Sequence, residues 1–138
     1  MGLDTSHGCW HGAYSAFSRW RQKLASVAGY ATWKVTYDDG MVAPTVMLDW
    51  GHIPESALMG EWDKPQSDAL VYLIAHSDCD GIIKPDQSRP LAARLRELIP
   101  LLPDEDVGGH IGNWRSKTMQ FITGLEDAAM KGENVEFH

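Results

Sequence analysis

The chain has 138 residues, 43% hydrophobic and 22% charged, with a formal net charge of −7. That length and apolar share suit one domain around one core, spanning 1–138, and exclude a wholly disordered chain. The acidic balance argues against a long nucleic acid as partner, because phosphate contacts need clustered Lys and Arg; no run approaches the ~18 apolar residues of a helical membrane span.

The front reads MGLDTSHGCWHGAYS, with no basic segment followed by an apolar stretch. The expectation is an unexported, cytoplasmic protein whose two cysteines, Cys9 and Cys79, stay reduced. From Ala13 to Val27, the residues Ala13, Ala16, Phe17, Trp20, Leu24 and Val27 recur at intervals of three and four, which predicts an amphipathic helix ended by Gly29. TWKVTY then alternates, Asp38, Asp39 and Gly40 make a turn, and MVAPTVMLDW returns as a second strand that Pro44 pushes toward a sheet edge.

Residues 51–64 lack periodicity and read as a loop. Pro65 opens a short helix with Leu70, Leu73 and Ile74 inward. After HSDCDG, a third helix carries Leu91, Leu95, Leu98 and Leu102 on one stripe, closed by Pro100 and Pro103. DEDVGG is a turn. A fourth helix runs from about His110 to Lys131, burying Ile111, Trp114, Phe121, Ile122 and Leu125 before Gly132 stops it, and ENVEFH adds a small edge strand. The fold class is α+β: a helix-dominated single domain of about four helices with one β-hairpin.

Three stretches concentrate chemistry. His7, Cys9, Trp10 and His11 crowd into five positions, with Gly8 and Gly12 loosening the backbone between them. His7 and His11 stand four apart and, with His76, Asp78 and Asp80, form a candidate set for a divalent metal borrowed from several segments. In that alternative the protein is a metal-dependent hydrolase or phosphodiesterase, the metal activating water and His110 shuttling a proton.

The second stretch, residues 76–87, resembles the core of an EF-hand loop through Asp78, Asp80, Gly81 and Ile83. It departs from that pattern at both ends, with His76 for the first carboxylate and Gln87 for the bidentate Glu. The competing expectation is a plain connection in which Asp78 and Asp80 satisfy backbone N–H groups.

The third stretch is GGHIGNWRSKT, residues 108–118. Glycines before a helix start leave N–H groups and a partial positive charge that suit a phosphate, with Arg115 and Lys117 in the first turns. Alternatively, those glycines make a turn and allow close packing. Six tryptophans, against four tyrosines and three phenylalanines, lie beside or near charged or His residues. Trp10 and His11, with Arg19 two turns on and Trp114 near His110, Arg115 and Lys117, suggest a stacking platform for a planar anion such as a nucleotide. The ligand set is then Trp10, His11, Arg19, His110, Trp114, Arg115 and Lys117, with no cofactor, no catalytic residue and a homo-oligomer as a natural setting.

The blocks MGLDTSHGCWHGAYSAFSRWR, HSDCDG and GGHIGNWRSKTMQFITGL resemble a group of short proteins encoded in phages and prophages. The likeness covers under half the chain and carries no residue roles. It implies a context, antagonism of host defence, in which some small acidic proteins sequester nucleotide-derived immune signals. A protein-protein antagonist using its acidic surface is a third reading.

Overall fold

Period-2 alternation over only three residues starts the fold. In the computed structural model, which describes residues 2–28, 33–36, 42–45, 69–74, 76, 77 and 79–138, β1 (Gly2–Asp4) pairs antiparallel with β2 (His11–Ala13). Leu3 lies opposite Gly12, and Asp4 opposite His11. The sequence reading had no hairpin here. Between the strands Ser6–Gly8 makes a 3₁₀ turn in which His7 takes the left-handed conformation, φ 61°. Thr5 closes the turn: its Oγ1 accepts the Trp10 N–H at 2.9 Å, and its own N–H donates to the Trp10 carbonyl at 3.1 Å.

Helix α1 (Tyr14–Val27) follows at once and buries Phe17, Trp20 and Leu24 as its spacing predicts, with Ala25 beside them; Ala16 and Val27 of the expected stripe are half-buried, and Ala13 belongs to β2. The anticipated hairpin is present as β3 (Trp33–Thr36) and β4 (Val42–Thr45), with Lys34 opposite Pro44. The turn at residues 38–40, the loop at 51–64, the helix start at Pro65 and the stop at Gly29 lie outside the described residues. Helix α2 (Val71–Ile74) is buried throughout.

A short strand, β5 (Ile82–Ile83), leads into α3 (Pro85–Leu98), where Pro85 occupies the first turn and Gln87 Oε1 accepts the Lys84 N–H at 3.0 Å. Leu91, Leu95 and Leu98 form its buried stripe, and Leu102 continues it past a 3₁₀ turn at Ile99–Leu101. Helix α4 (Trp114–Lys131) begins four residues later than its periodicity predicts. Gly112 is left-handed at φ 66° and Asn113 is extended, so the backbone cannot carry the helix back to His110. At the far end Gly132, φ 67°, caps it as expected.

The last strand, β6 (Val135–Glu136), is no edge. Ile83 faces Val135 on one side, while on the other Phe137 bridges to Thr5, and Asp4 and His138 exchange backbone hydrogen bonds of 2.9 and 2.8 Å. Val135 and Phe137 turn inward and Glu136 outward, the alternation of a strand with one wet face.

Aromatic rings fill the centre. Trp10 lies 5.1 Å from Phe17 and 5.3 Å from Trp20, and Trp20 lies 4.9 Å from Phe121. Trp20 Nε1 donates to Thr118 Oγ1 at 3.0 Å, and that hydroxyl donates to the Trp114 carbonyl at 2.8 Å, so a fully buried polar pair is satisfied. The fold is therefore α+β, built of helices and small antiparallel strand pairs. No helix among the described residues is long and apolar enough to cross a membrane.

Helix α4 approaches the first turn closely at Gly124. A Cβ there would collide with Cys9 Sγ and stand 2.9 Å from the His7 carbonyl oxygen. Replacing Gly124 with Ala is expected to lower unfolding stability by roughly 1–3 kcal/mol through overpacking, read as an earlier denaturant midpoint, whereas Thr123→Ala on the exposed face changes it little.

Candidate ligand-binding cleft

Strand alternation decides which of the crowded front residues reach water. Trp10 points inward and is 0% exposed, so His11, the next residue, points outward with its side chain 84% exposed. Cross-strand pairing places Asp4 beside it, with Oδ1 3.5 Å from His11 Nδ1. Asp4 was missed by sequence reasoning. The GLD alternation around Leu3 was its only signal, and three residues are too few to establish a period.

His110 arrives from the far end of the chain. It sits in a turn closed by the Gly112 N–H donating to the Gly108 carbonyl at 3.0 Å and the Val107 N–H donating to the Gly112 carbonyl at 2.9 Å, with Ile111 buried as its anchor. The Ala13 N–H donates to His110 Nδ1 at 2.7 Å. Ala13 is the N-cap of α1 and brings no side-chain cap, so the imidazole ties the start of that helix to the turn. Gly12 makes the approach feasible, since a Cβ there would lie 2.8 Å from His110 Cβ. Because Nδ1 accepts, the neutral ring is assigned its proton on Nε2.

Gly2, Leu3, Asp4, His11, Gly12, Ala13 and His110 together line a cleft of about 350 Å³. Of the seven residues proposed from sequence as ligand contacts, His11 and His110 line it. Trp10 is sealed in the core and Trp114 is only 6% exposed, so neither offers a ring face to a ligand: their aromatic surface belongs to packing. Lys117 is 8% exposed, its Nζ 4.2 Å above the Trp10 ring, and burial pulls its pKa below the usual lysine value. Arg115 donates through Nε to the Leu102 carbonyl at 2.8 Å. Arg19 is exposed on α1 and lines no part of this cleft.

The start of α4 is likewise closed to a phosphate. Asn113 Oδ1 accepts the N–H groups of Arg115 and Ser116 at 2.9 and 3.2 Å, which are the donors an anion would have used. Nor do the described members of the proposed metal set, His7, His11, His76 and Asp80, gather. His7 contacts Ser6 Oγ at 2.8 Å and Glu133 Oε1 at 3.2 Å, while His76 contacts the carbonyls of Ser77 and Ile82 at 2.8 and 2.9 Å. Asp80 is exposed on the loop, where Ser77 Oγ, not an Asp carboxylate, accepts the Cys79 and Asp80 N–H groups. Asp78 lies outside the described residues. Among those described, no three His, Cys, Asp or Glu side chains stand together as a metal site.

Cys9 and Cys79 are both free thiols, the first buried and the second exposed. Burial pushes the Cys9 pKa up from 9.0 to about 12. A thiol-alkylating reagent in mildly alkaline buffer is expected to label Cys79 alone in the folded protein and both cysteines after denaturation, as read by intact mass. The sign for stability follows from the same shift. An unfolded Cys9 ionises near 9.0 and the folded one only near 12, so Cys9 makes stability fall as pH rises through that interval, and Cys9→Ala removes this part of the slope.

Set against known proteins, the chain matches no family model, no curated protein and no solved structure.

Proposed function

We propose that this chain binds a small, phosphate-bearing, nucleotide-derived ligand in the cleft between the first hairpin and the His110 turn. The observation that carries this reading is the presence of two imidazoles, His11 and His110, on one cleft of about 350 Å³. That volume lies within the range of small-molecule sites, roughly 300–1,000 Å³.

Each ring has one nitrogen engaged with the protein, His11 Nδ1 beside Asp4 and His110 Nδ1 on the Ala13 N–H. Each therefore has Nε2 left for a ligand. His110 Nε2–H is a donor in the neutral ring, and His11 Nε2 can donate or accept according to its tautomer. The net charge of −7 favours a compact ligand with few phosphates over a polymer, since a long polyanion would meet repulsion from the rest of the surface. Binding of this kind would lower the free level of a signalling nucleotide, the role that the phage resemblance implies.

The test is a thermal-shift and titration panel of cyclic dinucleotides and ADP-ribose derivatives. A binder from that panel should raise the midpoint. Losing one hydrogen bond to a charged group, about 1.5–3 kcal/mol, corresponds to roughly ten- to hundredfold weaker binding in His11→Ala and in His110→Ala. Arg19→Ala should bind as the parent does. Undiminished affinity in both His variants, or no stabilisation by any ligand of the panel, defeats this assignment.

A further inference from the structure

His7 stands outside the cleft, at the centre of a different set of contacts. Ser6 Oγ lies 2.8 Å from His7 Nδ1, and Glu133 Oε1 lies 3.2 Å from His7 Nε2. The polarity of this chain has one consistent assignment. A carboxylate only accepts, so Nε2 carries the proton of the neutral ring and donates to Glu133. Nδ1 is then a lone pair, and the Ser6 hydroxyl donates to it. The backbone agrees, because Ser6 Oγ also accepts the Glu136 N–H at 2.9 Å and keeps its own proton for the histidine.

His7 holds this position at a conformational cost. Among the described residues it is the one non-glycine with a left-handed backbone, φ 61°. Contacts from three segments pin the turn: the Cys9 N–H donates to the Ser6 carbonyl at 3.5 Å, Gln120 Nε2 of α4 donates to the Gly8 carbonyl at 3.0 Å, and Glu136 of β6 holds Ser6 Oγ. Rare backbone conformations that the surroundings enforce concentrate at sites that do chemistry. Ser6 and His7 are half-buried, whereas Gly8 beside them is exposed. Its chain neighbours aside, nothing lies within 4 Å of where a Gly8 side chain would begin, so the turn is open to solvent next to the pair.

A hydroxyl, a base to take its proton and a third group to orient that base are the parts of an activated serine nucleophile, whichever fold supplies them. We infer that Ser6, His7 and Glu133 form a second site, separate from the ligand cleft, which transfers the acyl group of a small ester to Ser6 and then to water. Ser6 Oγ bonds to the carbonyl carbon while its proton passes to His7 Nδ1. The bond from that carbon to the alcohol oxygen breaks, and the departing oxygen takes the proton from Nδ1. Water then attacks the acyl-serine and gives a proton to Nδ1, which returns it to Ser6 Oγ as the carboxylic acid leaves. Glu133 is a positioning residue. It keeps the ring proton on Nε2, leaves Nδ1 as the basic atom, and balances the imidazolium while Nδ1 holds the transferred proton.

The experiment exposes the folded protein to a fluorophosphonate probe, whose phosphorus an activated serine oxygen attacks with loss of fluoride, and locates the adduct by peptide mass spectrometry. The probe is expected to label Ser6 alone, and only before denaturation. The parent should also hydrolyse p-nitrophenyl acetate faster than Ser6→Ala does. Ser6→Ala also removes the acceptor of the Glu136 N–H, so a second variant separates chemistry from folding. Asn tolerates left-handed backbone, so His7→Asn should keep the parent's unfolding midpoint while Ser6 labelling and ester hydrolysis fall roughly 10²–10⁴-fold. Glu133→Gln, whose amide oxygen still accepts the Nε2–H but carries no charge, should lower kcat for the ester and leave KM unchanged. A folded parent that stays unlabelled, labelling undiminished in His7→Asn, or equal ester hydrolysis in the parent and Ser6→Ala overturns the proposal. An unchanged kcat in Glu133→Gln overturns the part given to Glu133.

Discussion

Burial of the Trp10 indole is the constraint on which the front of this molecule depends. The ring is fully enclosed by Phe17, Trp20 and the Lys117 ammonium, and its Nε1 has no hydrogen-bond partner among the described residues. An unsatisfied buried donor costs about 1–3 kcal/mol, so the surrounding apolar and cation–π contacts must exceed that. Trp20 makes the contrast plain, because the Thr118 hydroxyl gives its indole N–H an acceptor.

With Trp10 drawn inward, the chemistry of its neighbours follows from the pleat. His11 has to face water, Asp4 lies across the ladder from it, and the following Gly12 leaves the space His110 occupies. The carboxyl-terminal strand completes the frame by pairing with the front of the chain at Thr5 and Asp4 and with β5 on its other side. A core decision at one indole thereby orients a surface pair of imidazoles.

The same packing explains why the cations near the start of α4 do not assemble around that pair. Lys117 is held over Trp10, Arg115 reaches the Leu102 carbonyl, and Asn113 occupies the open donors at the start of α4. In the proposed ligand site, an anion would therefore meet the ring nitrogens of His11 and His110, with His110 Nδ1 already accepting the Ala13 N–H.

The spacing of Phe17, Trp20 and Leu24, of Leu91, Leu95 and Leu98, and of Phe121, Ile122 and Leu125 determined the long helices, because a 3.6-residue period sustained over several turns is local information. Alternation in TWKVTY did the same for one hairpin, and Gly132 for a helix end. The first hairpin was illegible because three-residue strands are too short to show a period and because their register is set by what Trp10 and Leu3 bury against. The cleft was half legible: His11 and His110 stood out by type, but Asp4 is seven positions from His11 and Ala13 is 97 from His110. Only tertiary structure decided which tryptophans are core, which helix start is capped and which two imidazoles share a cavity, since each of those outcomes depends on contacts between segments that no local pattern encodes.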